Sequence, residues 1–156
     1  TDWKSLTTPA YCWYDNDALA YKSAYGALYN FYALETGEIC PTGWHVPSKD
    51  ELETLLNFLG EYSGHKLIET GTTHWKAPNT GATNETGFTW LPAGERYYAW
   101  GTYRFLGEWS SFWSSSGTSW DGHPAGYLLG YGTPAYNAGL YTPPKQEGHS
   151  VRCLKN

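Results

Sequence analysis

Leu52, Leu55, Leu56 and Leu59 recur at i, i+3, i+4 and i+7, a single apolar stripe that predicts an amphipathic helix over residues 48–59. Ser48 followed by Glu51 is a capping box, Pro47 precedes it, and Gly60 supplies a left-handed stop. Asp17 can cap a shorter helical turn over residues 18–22. The run 26–34, rich in Tyr and Phe, reads as a strand that ends in a turn at 36–38. After the main helix the pattern changes. Gly, Thr, Ser, Asn and Pro punctuate short aromatic stretches at 87–91, 96–100, 102–106, 127–129 and 150–154, which predict short strands. The serine-rich run between Trp109 and Trp120 reads as loop. A helix early and a mostly antiparallel, loop-rich sheet late define an α+β fold in one domain over residues 1–156.

Composition adds the aromatic character. The chain has 9 Trp, 14 Tyr and 5 Phe, with 40% apolar and 16% charged residues, enough to build a core and exclude a disordered chain. No run of about 18 apolar residues occurs, so no membrane insertion is expected. A net charge of -5 with ten scattered basic residues offers no footprint for nucleic acid. The absence of Met points to a processed chain or a domain of a longer protein.

Charge is uneven along the chain: residues 122–144 carry none, and between 112 and 150 only Asp121, Lys145 and Glu147 do. A charge-poor stretch of Tyr, Gly, Ser and Asn has the chemistry of an antibody paratope, where rigid rings give area at low entropic cost. On this reading Trp120 is the exposed aromatic. Asp121 and His123 are its polar neighbours, and Tyr127, Tyr131, Tyr136 and Tyr141 share a face through successive hairpins, with Asn137 as an adaptable contact. The competing reading is a glycine-rich meander whose tyrosines cover the core. Cys12, Cys40 and Cys153 fit no clustered metal or redox spacing; three single pairings are open, each leaving one cysteine over.

Six motifs, AYCWYDND (10–17), YGALYNFY (25–32), ICPTGWHVPS (39–48), LIETGTTHW (67–75), PNTGATNETGF (78–88) and GHSVRCL (148–154), together resemble the Fibrobacter succinogenes major paralogous domain, a family of exported bacterial and phage proteins. The resemblance spans the chain. It implies a C-type-lectin-like fold, distantly similar to formylglycine-generating enzymes and to variable proteins of diversity-generating retroelements. It also implies that the terminal strand returns beside the first strand, with Arg152 and Cys153 close to the element preceding the main helix, and hence a Cys40–Cys153 disulfide. The pattern weakens over about 109–147, the segment that retroelement-diversified relatives vary.

Catalytic and metal chemistry find little support in the spacing. Ser110, Ser111, Ser114, Ser115, Ser116 and Ser119 precede His123 without a nucleophile-elbow pattern. His45, His65, His74, His123 and His149 show no ligand spacing, and His149, where family members usually carry Phe, reads as structural. The calcium motifs of true C-type lectins are absent: Ala77-Pro78-Asn79 and Trp120-Asp121-Gly122 only approach them. The expectation is a noncatalytic binding module at the cell surface, outside the cell or on a phage particle, without cofactor or identified metal ligands, a structural metal ion being left open. Its C-terminal aromatic face meets a protein or glycan partner. The alternative is a structural surface or pilus-tip domain that docks to a neighbour, and a formylglycine-type oxidase relative ranks third.

Overall fold

The computed structural model describes residues 2–132, 135 and 137–156. Two 3-10 turns, Trp3–Ser5 and Tyr14–Asn16, flank β1 (Tyr11–Cys12); α1 (Ala18–Tyr25), β2 (Leu28–Tyr29), α2 (Phe31–Leu34) and β3 (Trp44–His45) follow. Next come α3 (Lys49–Leu59), α4 (Ser63–Leu67), β4 (Glu95–Arg96), β5 (Tyr103–Arg104), β6 (Trp109–Trp120), β7 (His123–Gly132), β8 (Gly139–Tyr141) and β9 (Leu154–Lys155). The mixed helix-and-sheet character expected from the sequence is present.

The main helix forms as its pattern dictates. Ser48 Oγ accepts from the Glu51 amide at 3.3 Å while the Glu51 carboxylate accepts from the Ser48 amide at 2.8 Å, and Gly60 ends the helix at φ +64°. Leu52 and Leu59 are buried, with Leu55 and Leu56 against the same cluster as Leu67, Ile68, Trp75, Trp90, Phe112 and Leu129. Asp17 caps α1 by accepting from the Leu19 and Ala20 amides.

Three expectations are corrected. The run 26–34 is not one strand, because the Asn30 side chain accepts from the Ala33 amide at 3.1 Å and turns the chain into α2. The stretches 87–91 and 150–154 are mostly irregular, reduced to bridges at Trp90 and Ser150 and to Leu154 at the start of β9. The serine run is strand, not loop: β6 is a 12-residue strand paired antiparallel with β7. The turn between them is Asp121–Gly122, both at positive φ, the handedness that matches strand twist. A register shift between Trp113 and Gly117 bulges β6, and the bulge bonds the helix entry: the Ser115 amide donates to Pro47 O and Ser116 Oγ accepts from the Lys49 amide.

β9 pairs with β3, the element preceding α3, rather than with β1, which pairs with β2. Cys40 and Cys153 are disulfide-bonded beside that pairing with Cα atoms 5.8 Å apart, as the family resemblance implies; Cys12 is a buried free thiol.

Candidate functional site

Three segments converge on one open cleft. The first is the far end of the β6–β7 hairpin, where Trp120 pairs with His123 and stands 45% exposed. The second is β8, which places Tyr141 opposite Leu128; the Tyr141 ring meets Trp109 edge-on at 5.2 Å. The third is the β4–β5 hairpin, in which Glu95 faces Arg104, followed by Tyr97 and Tyr98 with ring centroids 4.8 Å apart. Gly148 lets the C-terminal segment run against this hairpin. Its amide and carbonyl both bond Arg96, and a Cβ there would sit 2.9 Å from Arg96 Cβ. That close approach places Glu147 and His149 at the cleft base.

The cleft encloses about 440 Å³, with Tyr97, Tyr98, Trp109, Trp120 and Tyr141 as walls and Glu95, Arg104, Glu147 and His149 beneath them. Arg104 forms an ion pair with Glu95 and lies 3.5 Å from the centroid of Tyr97, a cation–π contact. The Tyr98 hydroxyl is raised above its ordinary 10.0, first by its hydrogen bond with Tyr97 and then by burial, so it is a neutral phenol at physiological pH. His149 is 1% exposed: Nδ1 lies 2.6 Å from Ser111 Oγ, Nε2 lies 3.0 Å from Glu147 Oε2, and Trp113 meets the ring edge-on at 4.8 Å. Serine, imidazole and carboxylate stand in the order of a nucleophilic triad. Ser111, however, is fully buried and does not line the cleft.

The residues expected to bind divide sharply. Trp120 and Tyr141 line the cleft. Asp121 and His123 are exposed at the hairpin turn but outside its lining. Tyr131 is corrected: it is 2% exposed, packed edge-on against Trp75 at 5.5 Å, and belongs to the core. Tyr127 is half-buried with the Lys49 ammonium 5.5 Å from its ring centroid. Four residues along one strand is an even step, so both tyrosines point to the same side of β7, the side of the main core. Asn137 is exposed, yet its side-chain oxygen accepts from the Ser63 amide at 3.2 Å and ties the chain to α4. Tyr136 lies outside the described residues.

Sequence reasoning missed Glu95, Arg104, Tyr97 and Tyr98 as neighbours of this face, left Trp109 undecided within the 109–147 segment, counted Glu147 only as one of its few charges, and took His149 as structural. The charge-poor description therefore holds for the walls only. The usable signal was Asp121-Gly122, a two-residue hairpin turn that makes the serine run a strand.

Fold and cleft define a small mixed helix-and-sheet domain closed by one disulfide. The chain belongs to the Fibrobacter succinogenes major domain family, whose model matches residues 1–155. No curated protein and no solved structure matches it.

Proposed function

We propose that this domain is a noncatalytic binding module of C-type-lectin-like fold, displayed outside the cytoplasm, that receives part of a protein or glycan partner in the aromatic cleft. One observation carries the reading: Trp120 and Tyr141 meet Tyr97 and Tyr98 around an open cleft, with Trp109 packed between it and the core, so four rings are available to a ligand. Rings of this kind bury area at small entropic cost, and polar groups below them set orientation. Contact is favoured over covalent chemistry because the only hydroxyl bonded to His149, Ser111, is out of reach of the cleft among the described residues.

The test uses an oligosaccharide array and a random peptide library as probes, with a titration of whatever the wild type retains. Trp120→Ala and Tyr141→Ala should each weaken that titration about thirtyfold, roughly 2 kcal/mol, with little change in melting temperature. Tyr131→Ala should instead cost about 3–5 kcal/mol of stability, because it empties a buried site. An affinity indifferent to both cleft substitutions, or no retained probe from either collection, refutes the reading.

A further inference from the structure

The base of the cleft holds a chemistry that aromatic recognition does not need. Glu95, Glu147 and His149 are all buried, and one donor atom from each lies within 4.8 Å of the others. They arrive from two places, β4 and the segment ahead of β9, locked together by the Arg96–Gly148 backbone pair.

An acidic pair alone would be ordinary. Two further facts make this one different. First, the imidazole is fixed from behind. Ser111 Oγ lies against Nδ1 at 2.6 Å and Trp113 packs on the ring, so Nε2 is aimed at the carboxylates. A ligand histidine held through its other nitrogen is the usual outer-shell arrangement of metal sites. Second, each carboxylate is bonded through one oxygen only. Glu95 Oε1 takes Arg104 and Glu147 Oε2 takes His149, while Glu95 Oε2 and Glu147 Oε1 have no hydrogen-bond partner among the described residues. Both side chains are about nine-tenths buried, 9% exposed each, and both line the cleft. The free oxygen of each keeps contact with the solvent of the cleft, so both carboxylates offer a lone pair to a cation that enters there.

We propose that Glu95, Glu147 and His149 form a three-ligand site for a divalent transition-metal ion of the zinc class, with the fourth position open to the cleft. One nitrogen and two carboxylate oxygens are a donor set such ions accept. Bonds of about 2.0–2.1 Å require donors roughly 3.3 Å apart, so the carboxylates draw in on loading. The ion replaces the His149 Nε2 to Glu147 Oε2 hydrogen bond, and the neutral imidazole keeps its one proton on Nδ1, which donates to Ser111 Oγ. Arg104 opposes the ion electrostatically but leaves one net negative charge when the imidazole is neutral, so binding is weaker than at a closed structural site. The site concerns the cleft base alone and stands whether or not the rings above hold a ligand.

The experiment titrates the metal-free protein with Zn²⁺ by calorimetry and with Co²⁺ by visible absorption. Wild type should bind one equivalent, and its melting temperature should rise with zinc. Glu147→Gln and His149→Phe should each weaken binding about tenfold or more. A His45→Asn/His123→Asn variant, which removes two surface imidazoles, should bind as wild type does. A second measurement needs no variant: in the imidazole ¹H–¹⁵N spectrum, zinc should move the His149 Nε2 resonance. No saturable binding, binding lost only with the surface histidines, or an unmoved His149 resonance overturns the proposal.

Discussion

His45 joins three parts of the molecule through one ring. Its Nδ1 lies 2.6 Å from the Asn156 side-chain oxygen and its Nε2 lies 2.9 Å from Glu51, the carboxylate that also closes the capping box of α3. The hydrogen bonds to Asn156 and then Glu51 raise His45 above its ordinary 6.5, while those from Ser48 and then His45 lower Glu51 below its ordinary 4.5. A group raised on folding stabilises below its unfolded value and loses that effect as pH climbs through the folded one. A lowered carboxylate does the reverse on the acid side. Both contributions are therefore intact between about 4.5 and 6.5. Replacing His45 by Asn should flatten the fall in melting temperature above that window and make the acid limb shallower, with the part of the Glu51 shift that Ser48 causes left in place. Parallel melting profiles from pH 5 to 9 for the two proteins would show that this ring contributes nothing on folding.

At the scale of elements, the β6–β7 hairpin carries the most information and was the least legible. The stripe of α3, its cap and its stop are local signals written between Ser48 and Gly60, so that helix is readable from sequence alone. Serine has low strand preference, and the run Ser114–Ser116 hides a bulge whose bonds go to Pro47 and Lys49, far away in the chain. β7 adds a second device: it lacks side chains where neighbouring rings must lie. A Cβ on Gly130 would meet the Trp109 ring at 2.5 Å, and one on Gly126 would meet Phe31 at 2.2 Å. Phe31 is 2% exposed and packed edge-on to Trp113, so it has no room to yield. Gly126→Ala should therefore cost about 1–3 kcal/mol by overpacking, measured by urea unfolding. A change within about 0.5 kcal/mol would mean that the strand shifts freely instead.

Over the whole molecule, closure depends on two short ties between distant parts of the chain. β3 and β9 share two residue pairs, and the Cys40–Cys153 bond beside them spans 113 residues of sequence. In the chain-entropy account a crosslink over that separation restricts the unfolded chain by about 4–5 kcal/mol. Cys40→Ser with Cys153→Ser should lower unfolding stability by about 3–5 kcal/mol in urea, and a loss under about 1 kcal/mol would assign closure to packing alone. The pairing was legible through family motifs; the residues alone left three choices. The cleft base was not legible, because Glu95 and His149 meet only after two hairpins and a glycine contact are in place. That same division has an evolutionary side. The mouth of the cleft is shaped by single rings on a hairpin tip and an edge strand, while its base is fixed by main-chain bonds between separate segments. Exchange of the residue at 120 or 141 thus alters the outline of the opening and leaves the depth beneath it as it was, so one scaffold admits many silhouettes.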